Sequence, residues 1–370
     1  MHSDLIKTDP AVFAVGRDYQ IMVGVRTPVL MWAEVGGECY YDDSNGILRS
    51  AVTTHRIVVP AAELDRAGGY RLYIRKIIER KPYFTETEEP VSMEYKFRPV
   101  RGGRTLAYHI ADAHNMVVQP IRACETFAQK YGDIDFLILN GDVPDHSGRI
   151  ENFDNIYEIA AGITHGEIPV VFSRGNHDTR GIFAENIAEH TPCENGNSYF
   201  TIRLGDIWGA VMDCGEDKDD SHAEYGNTVC CHAFRKRETR WLERIIEAPA
   251  DEYAYASVKH RIVIAHNPFT WKYKPPFDIE PELYGYWARL LRENVKPELM
   301  ICGHLHRLGI FEPGDENDAL GHPCRVAIGA VPRFGKGEGA ENYFCGMGLV
   351  FDDNGIKAYF TDSDGGEINA

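Results

Sequence analysis

The sequence predicts an α/β fold behind a small all-β sandwich, and three observations carry that prediction. Five short apolar runs, 106–111, 136–139, 170–172, 262–265 and 299–301, each end in or lead directly into a polar string. Segments with helical spacing lie among them. Residues 12–98, by contrast, hold short β-rich stretches and no long helical pattern. Short apolar runs bounded by turn residues read as buried strands, and their alternation with helices reads as an α/β sheet.

In chain order, strands are expected over 20–25, 29–35, 55–59 and 70–78, separated by turn clusters at Gly36-Gly37, 42–46 and Gly68-Gly69. In the last of these strands Leu72 and Ile74 alternate with Arg71, Tyr73 and Arg75, the period of a half-buried strand. This spacing suggests a small sandwich. Residues 98–104, with Pro99 and Gly102-Gly103, form the boundary, giving an all-β domain over 1–101 and an α/β domain over 102–370. Beyond it, Ile121, Cys124, Phe127, Ala128 and Tyr131 keep helical spacing, as do Ile150, Phe153, Ile156, Tyr157, Ala160 and Ile163. A further helix is expected over 235–247, burying Trp241, Leu242, Ile245 and Ile246. The tail returns to strands at 325–328, 346–351 and 357–360.

Composition narrows the function. The 370 residues suit two domains, and 44% hydrophobic with 26% charged residues describes a globular chain. No apolar run reaches the roughly 18–20 residues of a membrane helix. The start lacks a basic stretch followed by an apolar core, so no secretory signal is read and a cytoplasmic location is expected. Nine cysteines, with Cys230-Cys231 adjacent and no CxxC, fit reduced thiols and argue against a thiolate zinc site. The formal charge of −17 disfavours a nucleic-acid surface, which needs clustered Lys and Arg. Acidic runs at 86–89 and 216–220 read as solvated loops.

The polar strings carry the chemistry. They are Asp112-Ala113-His114, Gly141-Asp142, Gly175-Asn176-His177-Asp178, His266-Asn267-Pro268 and Gly303-His304-Leu305-His306. Loops at the carboxyl ends of strands are where open α/β folds bind ligands, so the five should converge on one sheet edge. An extended backbone would put Asp112 and His114 on one side, and likewise His304 and His306. A Gly-Asp or a lone histidine is commonplace; the ordered set is the signal.

Unbroken and in order over residues 112–306, these strings resemble the calcineurin-like metallophosphoesterase superfamily. The resemblance implies a four-layer α/β/β/α domain that holds two divalent transition-metal ions. Asp112, His114, Asp142 and His306 would hold the first, and Asp142, Asn176, His266 and His304 the second, with Asp142 bridging. All donors are nitrogen or oxygen, which admits Mn, Fe, Zn, Co or Ni. The implied reaction is in-line attack on phosphorus of a small phosphomonoester or phosphodiester by a hydroxide bridging the metals. His177 would assist the leaving group, and Asp178 would fix its imidazole. Arg174 would touch substrate phosphate or form a surface salt bridge. The alternatives are a nucleic-acid phosphodiesterase or nuclease, and a non-enzymatic interaction protein on the same fold.

Residues 62–78 resemble part of the fibronectin-like domain that precedes the catalytic domain in purple acid phosphatases. Those enzymes use DxG where this chain has Asp112-Ala113-His114, and they place a tyrosine three residues after the bridging aspartate. Here that slot is Asp145, expected to accept a hydrogen bond rather than to ligate. His146, His165, His222 and His232 read as surface groups or as partners of ligands, and Asp213 as such a partner. Tyr225, Phe269, Trp271, Tyr273 and Phe277, in loops 216–228 and 268–282, would stack on a base or sugar, or cover the site.

Overall fold

The computed structural model describes residues 4–336 and 341–369. Two sheets pack face to face, with helices on both outer surfaces. The larger has ten strands, and at its centre Thr105–Ile110, Phe136–Asn140 and Pro169–Ser173 run parallel. The smaller has six, with Ile207–Met212, His260–Ala265, Leu299–Cys302 and Arg325–Gly329 parallel. All five sequence-predicted strands that precede polar strings form, but they divide between the two sheets. The strings therefore meet where the carboxyl ends of both sheets come together, not along one edge.

The side-chain alternation of these strands explains the layers. Ala107, Phe136, Ile138 and Val171 face Val211, Ile262, Ile264 and Leu299 between the sheets. The intervening Tyr108, Leu137, Leu139 and Val170 face outward, under the helices Val118–Tyr131 and Asp154–Thr164. Trp208, Val263, Met300 and Val326 do the same under Cys231–Glu247 and Pro281–Leu290. A strand buried on both faces must be apolar throughout, which is why these runs lack polar alternation. This is the expected α/β/β/α arrangement.

The N-terminal region departs from the expected division at 101/102. Ala11–Val15, Asp18–Gly24 and Thr54–Pro60 extend the ten-stranded sheet, with Ala11–Val15 pairing in parallel with Pro169–Ser173. Only Val29–Val35, Glu38–Tyr41, Gly69–Arg80, Thr85–Thr87 and Val91–Lys96 form the separate antiparallel sheet. Met31, Ala33, Leu72 and Ile74 of that sheet pack in one core with Ile21, Val23 and Ile57 of the larger one. The sandwich exists, but one of its two layers is the ten-stranded sheet itself. The short helix Ala61–Ala67 and the helix Pro281–Leu290 were not read from the sequence.

Candidate metal centre

Each string begins within three residues of a strand end, but the backbone there is not extended. Asp112, His114, Asp142, His304 and His306 all have positive φ, at 53°, 44°, 52°, 67° and 47°. Left-handed conformations in non-glycine residues cost about 1–3 kcal/mol each and concentrate at functional sites. Tight turns, not period-2 strands, aim these side chains inward. Two glycines make the closure possible. A Cβ on Gly141 would sit 2.6 Å from Gly175 Cα and 2.7 Å from His266 Nδ1, and one on Gly175 would sit 2.2 Å from Asp142 Oδ1. Nothing larger fits where these loops cross.

The turns bring the expected donors into two groups. Asp112, His114 and His306 form one, and Asp142, His266 and His304 the other, with ligand atoms within 4.8 Å of one another in each. In the first, His306 Nε2 lies 3.3 Å from Asp112 Oδ1 and 3.2 Å from His114 Nε2. In the second, His266 Nε2 lies 3.1 Å from Asp142 Oδ2, and His304 Nδ1 lies 3.0 Å from Asn176 Oδ1. Asp142 also groups with His114 and His177, so its carboxylate faces both clusters.

The main chain ties the loops together. Asp112 accepts the His304 N–H, and Asp142 Oδ1 accepts the His177 N–H. Buried behind them, His266 Nδ1 donates to the Asn140 carbonyl at 2.6 Å. Asn140 Nδ2 in turn donates to His109 Nε2, whose Nδ1 donates to the Gly329 carbonyl. This chain fixes the His266 ring with Nε2 toward the site.

That geometry fits divalent cations. His266 Nε2 and the Asp142 carboxylate are buried and face each other at 3.1 Å, a spot that draws positive charge. Burial opposes charge on His266, but Asp142 and Asp112 outweigh it and raise its pKa to about 10. Burial and the adjacent His266 drive His304 down to about 4. Two buried carboxylates ringed by imidazoles need positive charge between them, which a cation supplies to both groups.

Residues 106–308, more than half of the chain, match the family model of the calcineurin-like phosphoesterases. The chain belongs to that family. Its fold is similar to purple acid phosphatase PPD1 from yellow lupin (Lupinus luteus) seeds, with a TM-score of 0.61 at 12% identity. That similarity covers 98% of this chain, the N-terminal strands included, and 73% of the other. A second similar structure is GAP50, the anchor in the inner membrane complex of Plasmodium. It has a TM-score of 0.47 at 14% identity over 72% of this chain and 88% of that one. No curated protein sequence matches the chain.

In this calcineurin-like phosphoesterase, several expected neighbours of the metal donors take other roles. Asp178 does not orient His177. It is fully buried, and Oδ2 accepts the Asp142 and Gly175 N–H groups at 3.1 and 2.7 Å. Burial and the Asp142 carboxylate push its pKa up to about 7. Adjacent residues on a tight turn point to different sides, so His177 faces out while Asp178 braces the loops from behind. The His177 tautomer is set instead by Asp145, whose carbonyl oxygen accepts from Nδ1 at 2.7 Å. The Asp145 carboxylate lies 3.4 Å from His114 Nδ1, near it but without the expected hydrogen bond.

Arg174 pairs with a carboxylate outside the donor groups. Its Nε lies 2.6 Å from buried Asp213, and its guanidinium stacks over Phe234. Asp213 is thus the partner of Arg174 rather than of a ligand. The acidic run at 216 is no solvated loop: Glu216 is buried and clamps Arg180, which sits 3.1 Å from His177 Nε2. Both were missed, because neither an arginine after a turn nor an acidic run carries a recognisable pattern. Phe269, Trp271, Tyr273 and Phe277 wall a cavity of about 80 Å³ against His304, while Tyr225 bonds Glu216 and Asp217. Among the described residues His146, His165, His222 and His232 join neither donor group. His232 pairs with Glu280 at the surface.

Proposed function

We propose that this chain is a binuclear-metal-dependent phosphoester hydrolase acting on a small phosphomonoester or phosphodiester. The observation that carries the reading is Asp142, whose one carboxylate faces donors on both sides. Asp112, His114, Asp142 and His306 would hold one divalent ion, and Asp142, Asn176, His266 and His304 the other. Nitrogen and oxygen donors suit Mn, Fe, Zn, Co or Ni. When bound, such a pair supplies positive charge to the phosphoryl oxygens and hydroxide at neutral pH.

The protein's own groups do the rest. The Asp145 carbonyl holds the proton on His177 Nδ1, which leaves Nε2 directed inward, 4.0 Å from Asp142 Oδ2. With a second proton taken up at Nε2, the imidazolium would pass that proton to the departing oxygen or stabilise its charge. The buried Asp178 keeps the Asp142 and Asn176 turns in register for that geometry. The net charge of −17 favours a small substrate over a polyanionic one. All nine cysteines are free, which supports a reducing, cytoplasmic setting. Among the described residues no helix is long and apolar enough to cross a membrane.

The test is a panel of phosphomonoesters and phosphodiesters assayed with Mn, Zn, Ni and Fe supplied separately. Hydrolysis that a chelator abolishes and one of these metals restores is the expected result. A metal-loaded protein inert to the entire panel would refute the proposal.

A further inference from the structure

Arg180 divides its guanidinium between two neighbours. Nε and Nη2 donate to the two oxygens of Glu216, each at 3.0 Å, and Nη2 also lies 3.5 Å from Asp217 Oδ1. Nη1 faces the opposite way, 3.1 Å from His177 Nε2. Because His177 Nδ1 donates to the Asp145 carbonyl, Nε2 carries the lone pair and accepts from Arg180. Nη1 has two N–H groups, and among the described residues it makes no other hydrogen bond.

The clamp behind this arginine is rigid. The Glu216 side chain is 1% exposed and accepts further bonds from Thr179 Oγ1 at 2.9 Å and Tyr225 OH at 2.8 Å. Its main-chain oxygen is held by Arg235. A buried carboxylate with that many donors cannot swing, so the plane of the guanidinium is fixed with one edge toward His177. Arg174, the cation expected to meet phosphate, is committed to Asp213. Arg180 is also reachable: it lines a cavity of about 830 Å³ that Arg174 borders too, with Thr179, Ile182, Glu216 and Tyr225.

We propose that Arg180 binds the phosphoryl oxygens of the ester, with Glu216 as the positioning residue that holds its fork. The inference rests on the hydrolase reading and names the cation that reading lacks. A phosphoryl oxygen draws Nη1 from His177, and the same exchange frees the Nε2 lone pair to take a proton from solvent and carry it to the departing oxygen. Substrate binding and the readiness of His177 are thereby one event.

Titration calorimetry of the metal-loaded protein with inorganic phosphate tests this without turnover, alongside metal analysis of every variant. Arg180→Met should weaken phosphate about 10- to 100-fold, the worth of a charge-assisted hydrogen bond, at unchanged metal content. Arg180→Lys should recover part of the loss, since it restores a point charge but not the fork. Glu216→Gln should loosen phosphate less than Arg180→Met and raise the ester KM by the same factor. Phosphate affinity of Arg180→Met within twofold of wild type would overturn the inference, as would loss of metal from that variant or a wild-type protein that binds no phosphate. Phosphate binding through Arg180 in a protein that cleaves no ester would sink the hydrolase reading and leave this one standing.

Discussion

Phe13 pairs in parallel register with Val170, so a strand near the start of the chain is bonded to the strand that launches the Asn176 loop. Ala11–Val15 is buried at every residue and wedged between Pro169–Ser173 and Asp18–Gly24. The site-bearing sheet therefore has no free edge at residue 102. Cross-links reinforce the seam: Lys7 pairs with Asp154, and Tyr70 OH donates to the Gly166 carbonyl.

A chain trimmed to 102–370 should consequently fail to fold. Removing the first 101 residues takes three strands from the ten-stranded sheet and exposes an apolar edge prone to pairing with other chains. Expression of 102–370 should yield aggregate. A soluble, monomeric fragment with native-like circular dichroism and full metal binding would show that the seam is dispensable.

Asp142→Ala should empty both metal positions, because it removes the carboxylate that faces both donor groups. Metal analysis should give a larger loss than for His306→Ala, whose residue belongs to one group and is 46% exposed. Equal metal content in Asp142→Ala and wild type would refute the bridging role.

His177→Ala should lower turnover by roughly 100- to 10,000-fold, the usual worth of a general acid–base group, with metal content intact. An aryl phosphate, whose leaving oxygen needs little help, should suffer less than an alkyl ester. Equal losses on both substrates would remove the leaving-group role. Loss of metal would make His177 a ligand, which its grouping with His114 and Asp142 permits geometrically.

Iron loading under air should not turn the protein purple, despite a fold similar to a purple acid phosphatase. The slot three residues after Asp142 is Asp145, and its contacts are with His114 and His177. A carboxylate gives no phenolate charge-transfer band. The visible spectrum of the iron-loaded protein decides this; a strong band that vanishes on mutating a tyrosine would contradict it.

His190 should make the fold acid-sensitive at a place remote from the metal donors. It is buried, stacked on Phe153 and bonded through Nδ1 to Thr54 Oγ1, and burial lowers its pKa from 6.5 to about 4. The groups that act on it besides burial are Glu189 and Asp154, which favour the charged form, and Lys7 and Arg56, which oppose it. The native histidine stays neutral while the unfolded one takes a proton below 6.5, so stability falls as pH drops from 6.5 to about 4. The gap is worth about 3 kcal/mol at most. Denaturant titrations across that range should show a shallower slope for His190→Gln than for wild type. Identical slopes would exclude His190 as a source.

The sequence by itself determined the central strands and the polar strings that follow them. A strand buried on both faces must be continuously apolar, so 136–139 and 299–301 announced themselves, and so did the polar strings that interrupt them. Asp112, His114, Asp142, His266, His304 and His306, all on those strings, come together in the fold, and His177 joins them. What the tertiary structure decided is where neighbouring side chains point. Asp178 turned inward although it is adjacent to His177, and Arg174 went to Asp213 while Arg180 took the place beside the imidazole. The N-terminal strands joined the ten-stranded sheet because their apolar residues found the open edge of Pro169–Ser173, a partner more than 150 residues away. Local patterns report burial and period. Which of two adjacent carboxylates faces the site depends on a left-handed turn and on the loops that cross it, and these are fixed only when distant segments pack.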